Sequence, residues 1–184
     1  FRHQEMFGQA IQKLGGKPIK QTGLHKFFGE FSNKYLPADY LFMGSVSVEL
    51  VTDVYGNYAR KAPNIYPVLK KMFDLHNIEE ARHILFTKNL LKTYAEKAGY
   101  IKRTLYSYVI LFNILFVRTM YVKKEIFERI GVENPDKVFK AASKNFKAKF
   151  AEKCLEDITE FVDSWKGFNN ATRWAWRWIL GAKV

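Results

Sequence analysis

Three residues in the stretch FDLHNIEEARHILF (73–86) have the types and spacing to hold a metal ion together. His76, Glu80 and His83 stand at i, i+4 and i+7, and at about 100° per residue a helix brings them within roughly 60° of one another. Two imidazoles and a carboxylate on one stripe suit a divalent transition metal. Half of the chain's four histidines fall in this window. Glu79 lies on the flank of the stripe, as a group behind the donors or as a surface carboxylate, and Arg82 points away. Read alone, the triplet fits an ordinary, partly exposed helix equally well, so other parts of the chain must decide.

Glu49 is one such part. It is the only charged residue in YLFMGSVSVELV (40–51). Burying a lone carboxylate costs several kcal/mol unless it is paired or coordinates a cation. Gly44, Ser45 and Val46 on the preceding turns are small enough to admit a close neighbour. A basic partner, or a helix edge open to water, would also satisfy Glu49. The metal reading is preferred because a second stretch of matching chemistry exists.

His3 is the other part. Carboxylate-bridged di-iron centres in four-helix bundles take one Glu from each of two helices and a Glu-x-x-His pair from each of the other two. EARH (80–83) is one such pair, and Glu49 supplies a single-Glu helix. The chain opens on FRHQEMF, without an initiator Met and as though inside a helix. His3 is then the end of the other Glu-x-x-His, with its Glu expected just before Phe1.

With the additional His76, this set resembles the non-haem di-iron N-oxygenases typified by para-aminobenzoate N-oxygenase. Their late metal-binding helix reads His-x-x-x-Glu-x-x-His, matched here by His76, Glu80 and His83. The resemblance covers about residues 1–95 through these motifs and is a general helical match beyond. It implies an all-α, ferritin-like di-iron bundle, with His3, Glu49, His76, Glu80 and His83 as metal ligands. It also implies two Fe ions (Mn in place of one or both is compatible with the ligand types), with O2 activated at the reduced centre and oxygen delivered to an amine. Hydroxylation or desaturation on the same scaffold is the alternative chemistry. A small-molecule substrate, O2 and an external electron donor would be the partners. Ligand histidines need outer acceptors to hold their tautomers; Asp53, one turn beyond Glu49, and Glu79 are candidates. The first ligand helix and the Glu before His3 are absent from this sequence. The 184 residues are therefore expected to form the C-terminal portion of a larger oxygenase domain. With five ligands at most, this portion should bind metal weakly or bind one ion, expose an apolar bundle face, and be inactive alone.

The elements that must position these residues are helices. Residues 1–14 read as a helix stopped by GGKP, with a short helix possible at 24–34. Long helices are expected at about 38–60, closed by KAPN, and from Pro67 to about 97, stopped by KAGY. An aromatic-rich helix should follow at 101–130, then one at 135–164 and a last short one at 170–181. No repeat or linker divides the chain, so residues 1–184 read as a single all-α domain.

Composition narrows the class further. Apolar residues make up 48% and aromatic residues 16%, outside the disordered range. The single Cys154 excludes an intrachain disulfide framework and a Cys-based zinc site, and a reducing, cytoplasmic setting follows most simply. A net charge of +12 suits anionic partners, but the basic residues are scattered along helix faces. A basic helical module binding anionic membrane or nucleic acid remains the non-enzymatic alternative; salt-sensitive polyanion binding would mark it. The leading reading expects no nucleic-acid partner.

The apolar stretch 105–122 is nearly long enough to span a bilayer, but Asn113 and Arg118 interrupt it. It is read as a buried core helix, so no integral membrane span is expected, and its two polar residues could line a pocket or meet buried carboxylates. His25 has no carboxylate at helical spacing and reads as a loop or surface residue. In TRWAWRWIL a helix puts Trp174 beside Trp178 and Trp176 opposite, which suits docking onto the bundle or a contact in a possible homodimer. The coding sequence upstream of Phe1 checks the whole assignment. A Glu is expected immediately before Phe1, and another some ~30 to 40 residues earlier from helix-plus-loop lengths. Any other residue directly before Phe1 would undo the second Glu-x-x-His.

Overall fold

A computed structural model describes residues 2–20 and 22–184. Among them every regular element is a helix. In chain order these are α1 (Arg2–Lys13), α2 (Gly23–Tyr35), α3 (Ala38–Arg60), α4 (Pro67–Lys97), α5 (Tyr100–Tyr121), α6 (Lys124–Arg129), α7 (Pro135–Lys153), α8 (Glu156–Ser164) and α9 (Asn170–Leu180).

The punctuation seen in the sequence sets most boundaries. Pro67 occupies the start of α4, where its fixed φ helps and its missing N–H costs nothing. α9 opens with a reciprocal cap: Asn169 accepts from the Thr172 backbone N–H, and the Thr172 hydroxyl accepts from that of Asn169. It closes on Gly181 at φ 72°, a left-handed conformation that suits glycine.

The core lies where α3 packs along α4 and α5, with α8 and α9 closing the ends. α3 contributes Met43, Val46 and Leu50 at i, i+3 and i+7, and α5 contributes Ile110, Ile114 and Val117 at i, i+4 and i+7, all buried. Gly44 permits the close approach of α3 to α5: a Cβ there would lie 2.8 Å from the Asn113 amide. Asn113 donates to the Val109 carbonyl (2.9 Å) and packs against α3 rather than lining a pocket. Gly56 does the same toward α4, where a Cβ would meet the end of the Asn77 amide at 2.3 Å. Ion pairing between Arg60 and Asp74 (3.3 Å) ties the end of α3 to the start of α4.

Two long helices expected from the sequence are broken. The segment 101–130 ends at Tyr121, turns through an extended Val122 (φ −119°, ψ 101°), and resumes as α6. Tyr121 stacks on Tyr55 of α3 with ring centroids 4.1 Å apart, and both lie within reach of Phe146 of α7. Continuing α5 straight on would carry the chain past that stack. The segment 135–164 divides between Lys153 and Glu156, where Cys154 and Leu155 are both buried. The new axis lets α8 turn Ile158, Phe161 and Val162 inward while the lysine-rich α7 stays outside. Neither break carries a Gly or Pro, so tertiary packing alone marks it.

The region from Tyr100 to Arg129 contains a helix long and apolar enough, by length and composition, to cross a membrane. In this fold α5 packs one face against α3 and α9, while Phe112 on its other side is exposed.

His25 is buried, contrary to its reading as a loop or surface residue. It lies in the first turn of α2, where its Nδ1 meets the hydroxyl of the capping Thr22. Its Nε2 reaches Thr119 Oγ1 at 3.1 Å, and its ring packs edge-on against Phe116 of α5. It pins α2 to α5. Trp174 and Trp178 stack on the exposed side of α9 while Trp176 is buried, the division expected from helical spacing.

A polar clamp joins the first turns of α3 and α5. Tyr106 donates its hydroxyl to Asp39, and Lys102 Nζ lies 2.7 Å from the same carboxylate. Burial pushes Asp39 up, but hydrogen bonds from Lys102 and Tyr106 outweigh it and hold the carboxyl below its usual range. Burial and the Asp39 hydrogen bond push the Tyr106 phenol up to about 12. For a depressed carboxyl, the stabilisation is present above the unfolded pKa of about 3.9 and is lost as pH falls through the lower folded value. Urea unfolding between pH 7 and pH 2 should show this loss in the wild type and lack its Asp39 component in Asp39→Asn. Identical curves for the two proteins would rule the clamp out.

Candidate metal centre

α1 and α4 meet through matched stripes. His3 and Phe7, one turn apart on α1, face Phe73, His76 and Glu80 on α4. Phe7 lies 5.4 Å from both the Phe73 ring and the His76 ring, and the His3 and His76 rings are 4.5 Å apart. The apolar contact of Phe7 thereby sets the His3 imidazole above the α4 donors. From the other side α3, packed along α4, brings Glu49 to face Glu80 and His83.

All five residues singled out in the sequence lie around this one locus, and three converge most closely. Donor atoms of His3, His76 and Glu80 lie within 4.8 Å of one another. His3 Nδ1 is 2.9 Å from Glu80 Oε1, and His76 Nε2 is 3.8 Å from that oxygen. His83 Nδ1 lies 3.6 Å from Glu80 Oε2, with its side chain 61% exposed at the rim of the cluster. Glu49 is half-buried, with its Oε2 cut off from water. Burial and the facing Glu80 raise its pKa, against a Ser45 hydrogen bond and the nearby His83.

Burial, with His3 beside it, lowers the pKa of His76 despite Glu80, Asp53 and Glu79 nearby. The effect favours the neutral imidazole, which is the ligating form. Asp53, considered as an acceptor for a ligand histidine, instead accepts from Asn57 Nδ2 at 3.0 Å. Glu79, considered for the same task, lies 2.6 Å from His3 Nε2.

Three buried atoms of this cluster have no hydrogen-bond partner: Glu49 Oε2, Glu80 Oε2 and His76 Nδ1. Buried polar atoms are nearly always paired, and each orphan costs about 1–3 kcal/mol. The imidazole nitrogen takes either role with its tautomer, but the two carboxylate oxygens can only accept, so another acceptor cannot satisfy them. A cation or added protons can. The donor set therefore fits a metal ion on chemical grounds.

Helices packed around inward-facing Glu and His residues are the construction of the ferritin-like metal bundles. The family model described as p-aminobenzoate N-oxygenase AurF matches residues 1–166. The chain belongs to this family of non-haem di-iron N-oxygenases, and its fold is the all-α, ferritin-like di-iron bundle. No curated protein and no solved structure matches the chain.

Sequence spacing could not reveal that Glu49 lies close enough to Glu80 for the second carboxylate to raise its pKa. In the metal-free protein this opposition destabilises the fold. Glu49→Gln keeps the volume and removes the charge, so it should raise the melting temperature of the metal-free protein at neutral pH. A clear fall in melting temperature would mean that the carboxylate is paired in solution.

Proposed function

We propose that the protein is an O2-activating di-iron oxygenase that oxidises the amine nitrogen of a small organic substrate. The His3–His76–Glu80 donor cluster, with unpartnered carboxylate oxygens on Glu80 and Glu49, carries this reading, and family membership sets the type of reaction. His3, Glu49, His76, Glu80 and His83 would hold the metal. Iron bound there would supply the oxygen-activating redox chemistry, with O2 as oxidant and an external donor as source of electrons.

The chain's own residues prepare the site. Burial keeps His76 neutral, so its lone pair is available for coordination. The two carboxylates offset the positive charge of bound metal. Val46 and Leu50, buried on the helix that carries Glu49, keep its surroundings dry. Low polarity strengthens each charge–dipole contact inside the site. The exposed edge of His83 leaves one side open to solvent, where a small amine and O2 can approach.

Five donors with only two carboxylates are fewer than two irons ordinarily take, so anaerobic loading with Fe2+ and desalting should leave fewer than two irons per chain. His76→Ala combined with Glu80→Ala should abolish that uptake while helical circular dichroism is retained. Equal iron retention by wild type and double variant would overturn the assignment.

A further inference from the structure

The outward face of α7 is a row of lysines. Lys137, Lys140 and Lys144 stand at i, i+3 and i+7, within about 60° of one another on the helix, and all three are exposed. The acidic residues of α7 are engaged elsewhere, Asp136 with Lys124 (2.9 Å) and Glu152 with Lys153 (3.7 Å). Among the described residues no carboxylate pairs with any of the three lysines. We propose that this face is the docking surface of an acidic electron-donor protein. The proposal rests on the oxygenase reading above, which requires an external donor.

What lies beneath the lysines ties this face to the metal site. Phe146 is turned by about 120° or more from each lysine and faces the bundle. Its ring stacks on Tyr55 of α3 (5.7 Å, 14°) and on Tyr121 of α5 (6.4 Å, 25°), and those two rings stack on each other at 4.1 Å. Tyr55 is followed by Gly56, which packs on Asn77, the residue after His76. Near-parallel rings thus bridge the helix that carries the lysines to the helix pair that carries the metal donors. A carrier seated on α7 has packed aromatic rings between it and the site, which shortens the gap an electron must cross. Electron-transfer encounters are small and brief, and complementary charge steers them. A lysine row about 10 Å long on one helix meets that need. The same face is poorly made for other anionic partners. No large apolar residue is exposed among the described residues of α7, so nothing there would enter a membrane. Nor does α7 carry an arginine, or an exposed aromatic residue among those described, to stack on bases. At each encounter the donor loses one electron, ferric iron in the site gains it, and no bond forms or breaks.

An acidic plant-type [2Fe–2S] ferredoxin serves as the probe. The wild-type chain should bind immobilised ferredoxin at low ionic strength and release it as salt screens the exposed charges. Lys137→Glu, Lys140→Glu and Lys144→Glu combined should weaken binding roughly 10-fold or more, because like charges would then meet. The same reversal at Lys61, Lys97 and Lys183, exposed on other parts of the chain, should leave binding nearly unchanged. In iron-loaded protein the α7 reversal should slow oxidation of reduced ferredoxin, while dithionite, which needs no docking face, should reduce variant and wild type alike. Equal affinity of wild type and α7 reversal would overturn the docking surface and leave the metal reading standing. So would tighter wild-type binding of duplex DNA or phosphatidylserine vesicles than of ferredoxin at the same salt. Failure of the wild-type chain to retain any iron would overturn both.

Discussion

The opposition of Glu49 and Glu80 across the α3–α4 interface is the constraint to which the rest of the fold is fitted. Two ionised carboxylates in a partly desolvated site repel, and burial and the charge of Glu80 accordingly raise the Glu49 pKa. An exposed ion pair such as Arg60–Asp74 cannot relieve this. A bound cation can, because it turns the repulsion into two attractions and supplies the missing partner for each orphaned oxygen. A site that disfavours its own metal-free state is therefore well matched to holding an ion.

The surrounding bundle holds this conflict in place. α3 is wedged between α4 and α5 by glycines at its two close approaches, and its apolar stripe packs on α5. The Asp39–Lys102–Tyr106 clamp fixes one end of that pair, and the Tyr55–Tyr121 stack fixes a point nearer the other. At the rim of the site His83 is exposed, as are Ile78, Leu85 and Phe86 elsewhere on α4.

Much of the helical plan was legible along the chain because it depends on local chemistry. Pro67, Gly99 and the Asn169–Thr172 cap act within a turn of themselves and mark their boundaries directly. The breaks after Tyr121 and Lys153 were not legible, since no breaker residue stands at either. Long-range contacts impose them: an aromatic stack between α3 and α5 in one case, and the inward face of α8 in the other. His25 was misread for a related reason. Its partners Thr119 and Phe116 are distant in sequence, and no pattern around residue 25 announces them.

By itself the sequence determined which donors were on offer and how those on one helix were arranged. The 3.6-residue turn puts His76, Glu80 and His83 on one stripe whatever the rest of the chain does, and the lone charge at Glu49 marked it as a residue in need of a partner. Only the tertiary structure decided that Glu49 comes near both Glu80 and His83, that His3 crosses from α1, and that Glu79 and Glu80 meet opposite nitrogens of one ring. Helical periodicity acts between neighbours in the chain. The pairing of donors on different helices depends on how whole surfaces pack, and no short stretch of residues contains that information.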